Sequence, residues 1–110
     1  MVVAKAVGSY SLESLLAVFE KIAAAARTRG ARWILLDLSA VAEDIPDLDR
    51  YDMGKRGAEI FAHIDRIAVV RGEHHRYTGF AANVARNRGL DARGFLDRAK
   101  AAQWLRSDSA

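Results

Sequence analysis

Trp33-Ile34-Leu35-Leu36-Asp37-Leu38 is a short, nearly continuous apolar run between Gly30 and a polar loop. It shows no alternation of polar and apolar residues. That pattern belongs to a central strand covered on both faces. A strand of this kind needs layers on either side of its sheet, which points to an α/β fold.

The flanking segments extend this reading. Upstream, Val2 to Tyr10 carries Val2, Val3, Ala4 and Val7, ends at Gly8-Ser9, and reads as a strand. Ser11 is a good helix N-cap, because its hydroxyl can accept a bond from an orphan N–H. After it Leu12, Leu15, Leu16, Phe19, Ile22, Ala23 and Ala26 recur at spacings of three and four, and Gly30 supplies the stop. Downstream, residues 40 to 46 read as a loop, with Pro46 placed for a first helical turn. Leu48, Tyr51, Ala58, Phe61 and Ala62 form the second helical stripe. Gly54 and Gly57 weaken that helix or allow close packing. Arg66 to Val70 is another buried-type strand, and Gly72 to Tyr77 a polar loop. Thr78 can cap a third helix carrying Phe80, Ala81, Val84 and Ala85, which Gly89 stops. Ala92 to Leu96 is a fourth strand. Asp97 can cap a last helix with Ala101, Ala102, Trp104 and Leu105 facing inward.

The predicted order is β-α-β-α-β-α-β-α. It implies a mixed, mainly parallel sheet of four to five strands with about four helices and right-handed crossovers. The 110 residues fit one domain, over 1–106, with 107–110 expected to fray. There is no cysteine, which removes disulfides, thiolate metal sites and cysteine nucleophiles. The start, Met1-Val2-Val3-Ala4-Lys5, does not read as a signal peptide, and no apolar run is long enough to span a membrane. The expectation is a cytoplasmic protein. The formal charge of +3 is mild, and acidic residues interrupt the arginines, so no nucleic-acid partner is expected.

Several stretches resemble the SpoIIAA-like branch of the STAS domain superfamily. They are Leu35-Leu36-Asp37-Leu38-Ser39, Asp49 to Gly54, Arg66 to Val70, Phe80 to Gly89, and Phe95 through Leu105. The resemblance implies a STAS-like fold in a bacterial cytoplasmic protein that acts through partner or ligand binding. Anti-sigma-factor antagonists of that superfamily carry a phosphorylatable serine in an Asp-Ser-Ser-Gly-like stretch before the second helix. Here the matching region reads Glu43-Asp44-Ile45-Pro46-Asp47-Leu48, without a hydroxyl residue.

The candidate site residues are few. Asp37 falls at the C-terminal end of the presumed central strand, where ligands of open α/β sheets bind, and Ser39 lies beside it. Capping of the loop is the alternative role for Asp37. With Asp47 and Tyr51 they make the expected ligand or partner surface. Arg86 and Arg88 at the end of the third helix could hold an anion. Glu73-His74-His75 reads as a solvated loop, because adjacent residues of an extended chain point apart, and no metal site is expected. His63 reads as a favourable charge near a helix end. Glu43, Asp44, Asp47, Asp49 and Asp52 read as compensation of a helix dipole. Tyr51, Phe61, Phe80 and Trp104 either belong to the core or line an apolar pocket.

No G-x-G-x-x-G, P-loop or G-x-S-x-G occurs, so no catalytic residue and no cofactor is expected. The first reading is a non-catalytic STAS-like regulatory or binding module that contacts a protein partner or a second copy of itself as a homodimer. The second is a carrier or sensor of a small apolar or lipid-like molecule, held under the second helix. The resemblance of the superfamily to lipid-binding CRAL-TRIO domains motivates it. The third is an enzyme using Asp37 and the acidic loop.

Overall fold

The structure is a computed structural model that describes residues 1–76 and 79–107. Its elements are β1 (Val2–Gly8), α1 (Leu12–Arg29), β2 (Trp33–Val41), α2 (Asp47–Ile60), β3 (Arg66–Val70), α3 (Phe80–Asn87), β4 (Asp91–Phe95) and α4 (Arg98–Leu105). The four strands form one sheet in the order β1-β2-β3-β4, and every pairing is parallel. The α/β class, with four helices on a parallel sheet, is therefore as the alternating pattern implies.

Strand order equal to chain order has a consequence. Successive right-handed crossovers stepping in one direction place their helices on one face of the sheet. The packing agrees. Leu15, Phe19 and Ile22 of α1, Ala58 of α2 and Ala85 of α3 share one core with Ile34, Leu36, Ile67 and Ala92 of the sheet. Among the described residues the other face carries only α4, whose Ala101 and Leu105 pack on Leu35, Ala68 and Val70. Residues Ile34 to Leu38 are all buried, because β2 is central and covered on both sides. On β1 the second face is bare: Val3 is 48% and Val7 71% exposed.

Local signals act as expected in α1. The Ser11 hydroxyl accepts from the Ser14 N–H at 3.1 Å. Gly30 closes the helix at φ 65°, a left-handed conformation that only glycine adopts without strain. Asp97 caps α4 by accepting from the N–H groups of Ala99 and Lys100. Thr78 lies outside the described residues, and the residue in the cap position of α3 is Gly79.

Several boundaries differ from the expected ones; β4, for one, starts at Asp91 and leaves out Leu96. β1 stops at Gly8, and Tyr10 turns away to give its N–H to Glu43 and its hydroxyl to Asp49. β2 continues to Val41, through residues expected in a loop, because β1 keeps pairing with it: Val7 opposes Ala40 and Gly8 opposes Val41. In the tail, Ser107 is held, since its carbonyl accepts from Arg66 at 2.6 Å.

The stripe expected on α2 is also corrected. Leu48 is 84% and Tyr51 41% exposed, and Ala62 is exposed as well. The buried face of α2 is instead Arg50, Gly54, Gly57 and Ala58. A Cβ on Gly54 would collide with the Ala81 carbonyl oxygen and lie 2.8 Å from Val84 Cβ. The glycine lets α3 approach this closely, so close packing is its role.

Candidate functional site

Beneath α2 and α3 the sheet leaves an apolar cavity of about 130 Å³. Its floor is Leu36, Leu38, Ile67, Val69 and Ala92, the residues of β2, β3 and β4 that point towards α1–α3. Phe19 and Phe61, whose rings meet at 5.4 Å, close one side. Small residues at Gly54, Gly57, Ala82 and Ala85 leave the space. The rim is formed by Asp44, Ile45, Arg71, His75 and Arg76, from the loops that follow β2 and β3. The rim therefore sits at the C-terminal ends of two adjacent parallel strands, where open α/β sheets place their ligands, and the cavity runs from there beneath the helices. Its volume is close to that of an apolar cavity known to take up benzene.

A network of charges ties the two rim loops together. Arg50 is buried on α2 and donates to the Ile45 carbonyl at 2.8 Å, to Asp44 at 2.7 Å and to the Arg76 carbonyl at 2.9 Å. Asp44 also accepts from the N–H groups of Ile45 and Arg76. Burial pushes the Asp44 carboxyl up, but those N–H groups and the Arg50 and Arg76 guanidinium groups outweigh it and hold it below its ordinary pKa. A carboxylate kept ionised and bonded to these donors is a clamp between loops rather than a general acid.

Both histidines of the third loop serve the same rim. The chain turns at Glu73 and His74, so the two rings do not point apart as an extended chain would require. Their Nε2 atoms lie 2.8 and 2.9 Å from one acceptor, the Val41 carbonyl oxygen. His75 is buried, and its Nδ1 accepts from the Gly72 N–H at 2.9 Å. That bond leaves the His75 ring proton on Nε2, which donates to Val41. The loop is thus pinned to the end of β2 through its histidines, while Glu73, His74 and Arg76 stay exposed. Among the described residues no three side chains are grouped to hold a metal ion.

The surface expected from Asp37, Ser39, Asp47 and Tyr51 divides between two faces. Asp37 lies in the middle of β2, not at its end, and shares the α4 face with Leu35. Its Oδ1 accepts from the Ser39 N–H at 2.9 Å and the Ser39 hydroxyl at 2.6 Å, and Arg98 of α4 lies 3.5 Å from Oδ2. Burial raises its pKa, but the Ser39 hydroxyl and N–H, Arg98 and Lys5 together bring it below the ordinary value. These bonds lie within β2 and reach α4, so Asp37 caps no loop. Asp47 and Tyr51 belong to α2, on the opposite layer. Asp47 pairs with Arg76 at 2.6 Å, and the Tyr51 hydroxyl accepts from Arg88 at 3.3 Å.

Arg86 is committed to structure, donating to the Ala92 carbonyl at 2.6 Å and to the Asn83 side chain. The acidic cluster acts mainly through bonds to side chains and loops. Among its members Glu43 and Asp49 hold Tyr10, and burial with the Asp49 hydrogen bond pushes the Tyr10 phenol far up. Both ring nitrogens of His63 are occluded without a hydrogen-bond partner among the described residues. The four aromatics divide in the same way. Phe61 is core and lines the cavity, Phe80 lines it too while about 40% exposed beside Tyr51, and Trp104 packs on Phe95 away from it.

No family model, curated protein or solved structure matches this chain.

Nothing in the sequence marked Arg50 as the buried clamp, since arginine is ordinarily exposed. The cavity left one trace, the glycines of α2, whose spacing with Ala58 follows a helical face.

Proposed function

We propose that the chain is a non-catalytic binding module whose cavity beneath α2 and α3 receives a small apolar group. The observation that carries this reading is a benzene-sized apolar space at the C-terminal strand ends, rimmed by loops that an ion-pair network holds in place. Known drug-sized sites measure about 300–1,000 Å³. This one accordingly takes a ring or a short branched chain, not a long acyl tail. A titration of the isotopically labelled protein with toluene, followed by amide NMR, tests the reading. Shifts should cluster at Phe19, Phe61, Ala85 and Leu90. Shifts scattered over the surface, or none at saturation, refute it.

A second reading, STAS-like regulation through protein contact, is favoured by β1. That strand is at the sheet edge, and Val3 and Val7 are exposed on its bare face, with Trp33 of β2 37% exposed on the same side. An unpaired edge strand with such a face suits antiparallel pairing with a second copy about a two-fold axis. Light scattering on a sizing column should then give a dimer that Val7→Lys converts to monomer. A wild-type monomer at high concentration removes this reading. Within the described residues no helix is long and apolar enough to cross a membrane.

A further inference from the structure

The proposed cavity does not by itself say what chemistry its ligand carries outside the apolar space, and the rim does. Three guanidinium groups, Arg50, Arg71 and Arg76, line the cavity, against one carboxylate, Asp44. His75 turns neither ring nitrogen to the cavity, since Nδ1 accepts from Gly72 and Nε2 meets the Val41 carbonyl. Arg50 and Asp44 face each other at 2.7 Å and offset one another. Just outside, Asp47 meets Arg76 at 2.6 Å, with the two side chains 66% and 58% exposed. Counting Asp47, the described residues of the mouth carry three guanidinium groups against two carboxylates. Exposed pairs of this kind are weak and screened, so an incoming anion can share or take the Arg76 guanidinium. The Arg76 backbone, meanwhile, is fixed at both its N–H and its carbonyl.

We infer that the ligand is a small monocarboxylic acid, its ring or branched chain in the cavity and its carboxylate on the planar fork of Arg76. This rests on the binding role proposed above. A carboxylate is favoured over a doubly charged phosphate because the excess at the mouth is small, and a bidentate fork matches two oxygens. A cationic ligand would meet repulsion there.

The test compares three probes of similar size on the whole chain: phenylacetate, toluene and benzylamine, each followed by amide NMR. Phenylacetate should bind about tenfold more tightly than either of the others, and the advantage should shrink at high salt. Arg76→Ala should remove that advantage, so that phenylacetate and toluene bind the variant alike, and its circular dichroism should match that of the wild type. Asp47→Asn should tighten phenylacetate. If toluene binds and phenylacetate binds no better, or phenylacetate keeps its advantage on Arg76→Ala, the carboxylate inference is overturned while the cavity reading stands. If none of the three reaches the cavity residues, both fall.

Discussion

Two glycines one helical turn apart on α2 allow a controlled test of how the cavity wall is built. Replacing either by alanine should gain about 1 kcal/mol of helix propensity. The surroundings then decide the sign. At Gly57 an added Cβ meets only Phe19, at 3.7 Å from a ring carbon, which is ordinary contact. At Gly54 it would overlap the Ala81 carbonyl oxygen and stand 2.8 Å from Val84 Cβ. Neither is the far end of a flexible side chain, so α2 and α3 must separate. Overpacking of this kind costs about 1–3 kcal/mol, and a backbone oxygen places it in the upper part of that range. Gly57→Ala should therefore be more stable than wild type by up to about 1 kcal/mol. Gly54→Ala should be less stable by about 1–2 kcal/mol. Urea denaturation followed by circular dichroism, with m-values checked for constancy, measures both. A Gly54→Ala protein as stable as Gly57→Ala would refute the close approach of α2 and α3, and with it the wall of the cavity.

Three further expectations come from other parts of the fold. Leu105→Ala removes a fully buried side chain from the small core under α4 and should cost about 2–5 kcal/mol in the same assay. His75→Phe keeps the ring but leaves the Gly72 N–H without its acceptor, which should cost about 1–3 kcal/mol; an unchanged stability would mean that the bond does not hold the loop. Asp37, Asp44 and Asp65 all have pKa values lowered on folding. The unfolded chain then binds more protons than the folded one in acid. Their contribution is complete above the unfolded aspartate value of about 3.9 and is lost as pH falls through the lower folded values. Thermal melts from pH 6 to 2 should show this loss, and Asp37→Asn should make it shallower.

The parts that could be read from the chain are those set by neighbours in sequence. Ser11, Gly30, Gly89 and Asp97 act through backbone groups a few residues away, so their helix boundaries were legible. The run from Ile34 to Leu38 named the central strand because burial on both faces needs apolar residues at every position. The second helix was misread for the complementary reason. Its buried face joins Arg50 and two glycines to Ala58, so large apolar residues do not mark it: Phe61 beyond its end is buried, but Leu48 and Tyr51 face water.

The site belongs to the second kind of information. Sequence alone determined four strands alternating with four helices, because caps, stops and apolar periods act over a few residues. Only the tertiary structure decided that Arg50 would join residues 45 and 76, that two histidines would meet at Val41, and that Asp37 and Asp47 would lie on opposite layers. Those outcomes depend on which helix covers which face and how closely α3 approaches α2. Contacts between residues about thirty apart in the chain set both, and no local pattern records them.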